Sequence, residues 1–188
     1  TVNGAVDLGT NTLTLNVSSG TSNINGTVGG SGGLTKQGAG RLDLAGSVAN
    51  TYSGTTSVTE GQLHLNNSGG NAVGGNLDIS NGGKVTFGRS HQIIDTAAVT
   101  VSDATSVFNG TGVNGGQFSA TETIGSLTMT GGVFNSAAGG NWTITGAGSF
   151  TGGAGNTIFV GNSGTRLSFG SLALTDMTAT AGGNVAAV

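Results

Sequence analysis

Cysteine and proline are both absent from this 188-residue chain, and charge is scarce: 5 Lys plus Arg stand against 8 Asp plus Glu, 7% of residues in all, where an ordinary soluble domain carries about 25%. Without cysteine no disulfide framework forms, which by itself leaves the compartment open. Without proline no X–Pro bond isomerises slowly and no β-ladder loses a donor. A formal net charge of −3 provides no cationic face for a phosphate backbone, so nucleic acid is not an expected partner. Apolar runs stop at four residues, far short of the roughly 20 that span a bilayer, and no signal-type segment opens the chain. It is not expected to insert in a membrane itself. Beginning at Thr1 without Met and closing on Gly-Gly-Asn-Val-Ala-Ala-Val, it reads as a segment of a longer protein.

Gly, Thr, Ser and Asn fill 104 positions, 39 of them Gly. Gly costs about 1 kcal/mol per helical position and the other three are poor helix formers, so helix is excluded. Disorder is excluded too, because 35% of the residues are hydrophobic and mean hydropathy is +0.10. The apolar residues come as alternating doublets: Leu13 and Leu15, Leu42 and Leu44, Leu63 and Leu65, Leu77 and Ile79, Val85 and Phe87, Val99 and Val101, Leu127 and Met129, Trp142 and Ile144, Leu172 and Leu174. Clusters such as Asn66 to Gly70, Asn81 to Gly83 and Asn114 to Gly116 bound them. These are strand and turn signals.

Short strands with two inward side chains apiece cannot offset the ordering entropy of so much glycine, so they must stack. A column recurs at Ile24, Leu44, Leu65, Phe87, Phe108, Met129, Phe150 and Leu172, in steps of 20 to 22. A second runs Val58, Ile79, Val101, and a third Tyr52, Val73, Ile94. Three columns at about 21 residues predict an all-β fold, a right-handed single-stranded parallel β-helix whose three-sided rungs stack about 4.8 Å apart, eight to nine of them over roughly 40 Å. An antiparallel β-sandwich is the second choice, disfavoured by the uniform turns and the single repeat interval.

From Gly33 the chain runs Gly33, Leu34, Lys36, Gly38, Gly40, Leu42, Leu44, Gly46, then Asn50, Thr51, Tyr52, Gly54, Thr56, then Gly61 and Leu63. This spacing resembles the autotransporter-associated β-strand repeat of type V secretion passengers, with one departure, Arg41 where the family most often has Thr. Residues 92–101 and 123–132 look like degenerate rungs of the same kind. The resemblance implies an extracellular or cell-surface passenger segment of a Gram-negative bacterium, whose β-helix supports export and display. It also implies a C-terminal translocator barrel in the full-length protein.

Catalytic chemistry is thinly represented. The carboxylates are Asp7, Asp43, Glu60, Asp78, Asp95, Asp103, Glu122 and Asp176. Asp43 and Asp78 sit between apolar residues and are expected on a solvated outer face. A glycosidase pair needs carboxyls about 5 to 9.5 Å apart, and the column after Asp43 continues through His64, Thr86 and Val107, which builds no acidic strip. His64 and His91 are expected at the surface without a shared metal. The glycine stretches at 29–33 and 152–155 lack the acids of a calcium repeat. Tyr52 and Trp142 are expected in core or turn packing. Thr-x-Thr pairs at Thr12 and Thr14, Thr128 and Thr130, and Thr143 and Thr145 invite an ice-binding reading. It is set aside because the doublets at Leu42 and Leu63 present Asp43 and His64 instead.

The chain is therefore expected to be one β-helix segment over residues 1–188 with the motif at 33–63. It would serve as a non-catalytic stalk or adhesin scaffold, with no cofactor and with host or abiotic surfaces, glycans or sister molecules as partners. The alternatives are a polysaccharide-degrading β-helix enzyme and a self-assembling fibre module.

Overall fold

The computed structural model describes residues 1–110, 120–136, 140–152, 157–160, 166–175, 178–181 and 184–187; the turn at Asn114 to Gly116, the stretch 153–155 and Asp176 lie outside them. Among the described residues there is no helix, and every strand pair is parallel. Successive strands of each sheet come from successive rungs, which makes a three-sided β-solenoid of about seven turns.

One side is an eight-stranded sheet that starts with Thr21–Ile24, Arg41–Leu44, Gln62–Leu65 and Lys84–Phe87. It continues through Val107–Asn109, Val133–Asn135, Thr157–Val160 and Thr178–Ala181. The second side is the ten-stranded sheet, with Leu13–Asn16, Leu34–Gln37, Thr56–Val58, Leu77–Ile79, Ala98–Val101 and Ser126–Met129 in order. Asn141–Thr151, Arg166–Thr175 and Asn184–Ala187 extend it, with Glu122–Ile124 also pairing on Asn141–Thr151. The third side has little ladder: Val6–Asp7 pairs with Val28–Gly29, and Val73 bridges Ile93.

Register explains the core. Ile24, Leu44, Leu65 and Phe87 are vertical neighbours, as are Val58, Ile79 and Val101. Each is at most 2% exposed. Leu13 and Leu15 at one end are only half-buried and Leu174 at the other is 50% exposed. A rung closes its inward faces only with a neighbour on both sides.

Beyond Phe87 the long column departs from the 21-residue expectation. Phe108 lies over Val85, not over Phe87, and is followed by Phe134. Met129 and Phe150 belong to the ten-stranded sheet, stacked on Val101, and Leu172 faces Gly148. In the third column the partner of Val73 is Ile93, which is fully buried, while Ile94 is half-buried. The cause is longer rungs: the steps grow to 23 from Val85 to Phe108, 26 from Phe108 to Phe134 and 28 from Val101 to Met129. A fixed period then drifts from one side to the next.

The drift is absorbed by aromatic packing. Trp142 meets Phe87, Phe108 and Phe134 edge-on at 5.4, 5.2 and 5.2 Å between ring centroids, while Phe108 stacks on Phe134 at 5.5 Å. Gly110 leaves the room; a Cβ there would lie 3.1 Å from Trp142 Cζ2.

Leu65→Asp places an unpaired charge in the Leu44–Phe87 column and is expected to lower stability by about 4 kcal/mol or more. Asp78→Asn, on the exposed face, is expected within about 0.5 kcal/mol of the parent. Urea titration of the two variants checks both; equal midpoints contradict the register.

Candidate functional site

The motif residues occupy one full rung and two sides of the next: Leu34–Gln37, Arg41–Leu44, Thr56–Val58 and Gln62–Leu65, with Asn50 to Gly54 on the third side between them. Leu34, Leu42, Leu44 and Leu63 are core. Gly61 turns the chain at φ 63°, where a Cβ would collide with the Gly38 carbonyl below it; at Gly54 a Cβ would strike Gly32. Gly33 and Gly40 also lie close against neighbouring backbone, Gly38 has φ 78°, and Gly46 is looser, with 3.3 Å to the Asn25 carbonyl.

Lys36 is inward, in the column that holds Leu15 below and Val58 above, and it is fully buried. Its ammonium donates to the carbonyls of Gln37 (2.9 Å), Gly38 (2.6 Å) and Glu60 (3.1 Å), so all three N–H groups are used at the corner. Desolvation pulls its pKa below the ordinary lysine value, and the Glu60 carboxylate opposes that. The same carboxylate accepts the Gly38 N–H at 3.2 Å.

Asn50 joins three rungs: Oδ1 accepts from Val28 N–H at 2.8 Å, and Nδ2 donates to the Ala72 carbonyl at 2.8 Å. The Thr51 N–H also donates to the Val28 carbonyl, at 2.8 Å. Tyr52 is fully buried; its hydroxyl lies 2.6 Å from that of buried Thr56 and donates to the Ala72 carbonyl at 3.5 Å. Burial pushes the phenol up to about 12. The staple recurs above the motif. Asn67 donates to the Val48 carbonyl at 2.8 Å while its N–H donates to Gln92 Oε1 at 2.6 Å. The N–H groups of Gln92 and Ile93 then donate to Glu122 Oε1 and Oε2 at 2.5 and 3.2 Å. Buried carboxamides and one carboxyl thus supply the bonds that the third side lacks as a ladder.

Asp43 is not the solvated carboxylate that the sequence suggests, and Glu122 is buried as well. Glu122 is 1% exposed, and desolvation lifts its pKa to about 8 against backbone hydrogen bonds from Gln92, Ile93 and His91. Asp43 does face outward, but it is 9% exposed and paired to Arg41, with 2.6 Å from Nε to Oδ1 and 2.9 Å from Nη2 to Oδ2. His64, expected at the surface, is 6% exposed, stacked in register between Asp43 and Thr86 and 3.0 Å from the Thr86 hydroxyl. Desolvation lowers its pKa, with Asp43 acting the other way. Above Thr86 the column continues into Asn109, not Val107. Asp103 is held down to about 2: burial works to raise it but is outweighed by hydrogen bonds from Thr105, Ser106 and Asn81. His91 and Asp78 are exposed as expected, and Tyr52 and Trp142 are in the core. Among the described residues no three of His, Asp and Glu come together as a metal site.

Asp43 and His64 do not interrupt the face that carries the Thr-x-Thr pairs at Thr14 and Thr128. Asp43 and His64 lie on the eight-stranded sheet, whereas Thr14 and Thr128 lie on the ten-stranded one. There the central outward column reads Thr14, Thr35, Ser57, Asp78, Thr100, Thr128, Ser149, register partner by register partner. Two residues on in each rung stand Asn16, Gln37, Thr59, Ser80, Ser102 and Thr130. None of these residues is buried.

Residues 34–65, the segment that carries Lys36 and the Asn50 staple, match the family described as passenger-associated-transport-repeat. Over 112 residues, 59% of its length, it is 38% identical to a protein described as an adhesin autotransporter, BmaC, of Brucella suis biovar 1 (strain 1330). The match spans 3% of that relative. No solved structure matches the chain. The repeat and the relative indicate a cell-surface or secreted Gram-negative protein. No helix among the described residues is long and apolar enough to cross a membrane.

Two outcomes follow from the staples. Asn50→Ala removes both bonds and leaves the Val28 N–H and the Ala72 carbonyl without that partner, at an expected cost of about 2 to 4 kcal/mol by urea titration. Glu122, with a folded pKa of about 8 against an ordinary 4.5, keeps its proton in the folded state where the unfolded chain has lost it. Stability is therefore expected to fall as pH rises from 4.5 through 8. Tm measured against pH should lose that slope in Glu122→Gln.

Proposed function

We propose that the chain is a non-catalytic structural segment of a larger autotransporter-type adhesin passenger, a rigid β-helical stalk over its whole length. Residues 33–63 support folding coupled to secretion. The observation that carries the reading is the Asn50 staple, which bonds the rung below and the rung above at once. A chain emerging unfolded at a cell surface gains order only by adding to a rung already formed, and a residue that bonds both neighbours fixes each new rung in register. The absence of cysteine and proline suits that passage, since neither a disulfide nor an X–Pro bond delays stacking. The expected translocator is a C-terminal barrel, and the expected partners are host or abiotic surfaces, glycans or sister molecules.

The test is surface display. Fused ahead of a translocator barrel in a Gram-negative cell, the chain carrying Lys36→Met and Asn50→Ala is expected to show several-fold less protease-resistant passenger outside the cell at equal barrel level. Undiminished display would contradict a role of the motif in export.

A further inference from the structure

The ten-stranded sheet turns outward two parallel ladders of uncharged hydrogen-bonding groups, and their chemistry specifies a partner. We propose that this face binds a neutral, extended polysaccharide laid along the solenoid axis. The proposal rests on the adhesin reading and names the ligand class for it.

Three observations carry it. First, the groups repeat: Thr14, Thr35, Ser57, Thr100, Thr128 and Ser149 stand in the central column, one to a rung. The second ladder, from Asn16 to Thr130, runs beside it. Rungs are about 4.8 Å apart and the two columns about 6.7 Å apart. A hydroxylated polymer whose sugar rings are about as long as a rung is high meets an equivalent set of donors and acceptors at each step.

Second, the sign of the face excludes an acidic polymer. Between Thr14 and Ser149 the two ladders contain one charged residue, Asp78, and no Lys or Arg. Lys36 is buried in the core, Arg41 and Lys84 belong to the eight-stranded sheet, and the exposed Arg166 stands opposite Asn141 on the ten-stranded sheet, outside the two ladders. Sulfated or uronic chains would find an anion and no cation here, whereas a carboxylate among hydroxyls accepts readily from a neutral diol. Third, the groups are mixed. Asn16, Gln37 and Asp78 interrupt the hydroxyls with longer amides and an acid, which suits a polyol and breaks the uniform lattice that ordered ice would need.

Each contact with a sugar hydroxyl is a neutral hydrogen bond exchanged against water and is individually weak. Binding therefore depends on many rungs acting at once and should rise steeply with ligand length.

The experiment is affinity electrophoresis of the 188-residue chain through gels containing hydroxyethyl cellulose, with heparin and alginate as acidic comparators. Retardation by the neutral glucan, uncompeted by cellobiose, is expected. A fall of at least fivefold in apparent affinity is expected for Thr35→Asp with Thr100→Asp, and a smaller fall for the exposed pair Thr14→Ala with Gln37→Ala. Thr21→Asp, on the other sheet, should bind as the parent does. Thermal unfolding of each variant separates loss of binding from loss of fold, and the exposed alanine pair decides if the aspartate pair unfolds. Overturning results are no retardation of the parent, stronger retardation by heparin or alginate, or equal loss in Thr21→Asp. Thermal hysteresis or concentration-dependent dimerisation abolished by the face variants, without glucan binding, would make ice or a second copy the occupant and also overturn it. Normal surface display with no glucan binding would sink this proposal and leave the stalk standing.

Discussion

Each rung of this protein is completed by the rung beside it. Individual strands are mostly three or four residues long, too short to bury much surface or to form a sheet alone. Parallel pairing across about 21 residues puts Leu44 between Ile24 and Leu65, and Ile79 between Val58 and Val101. Backbone ladder and apolar column are satisfied by the same translation along the axis. Stability in such an array is close to a sum of rung terms and neighbour interfaces. Rungs lacking a neighbour are the weak points, as the half-buried Leu13 and Leu15 show.

The third side meets the same demand by different means. Its ladder is sparse, so the backbone groups there are taken up by Asn50, Asn67, Gln92 and Glu122, each at most 6% exposed. A side chain that bonds backbone on a neighbouring rung costs desolvation, and each of these offsets it with at least two bonds. Lys36 follows the same logic at a corner, with three carbonyls around one ammonium. The repeat shared with passenger proteins coincides with the start of this stapled region.

Much of the architecture was legible because the apolar alternation marks strands: all nine apolar doublets lie in strands. The columns held where the rungs are uniform, up to Phe87, and slipped where rung length changed, since a period counted in residues cannot see an enlarged turn. Side-chain burial was less legible. Asp43 and His64 were correctly placed in one column, yet their closure by Arg41 and Thr86 depends on packing that spacing does not encode. Lys36 occupies an apolar register position, and that was the available signal of its burial. For Glu122 there was none, because its acceptor role follows from the missing ladder at Gln92 and Ile93. The outer hydroxyl ladders were hidden by assigning two different sheets to one face.

A stalk and an adhesive face are compatible demands on one such solenoid: inward columns confer stiffness, and outward positions are free to vary. The most direct measurement of the underlying claim is side-chain NMR on methyl-labelled protein. Nuclear Overhauser contacts should connect Leu65 to both Leu44 and Phe87, and Ile79 to both Val58 and Val101. Their absence, with close Hα–Hα contacts of antiparallel pairing between the same strands, would contradict the stacked rungs on which the account stands.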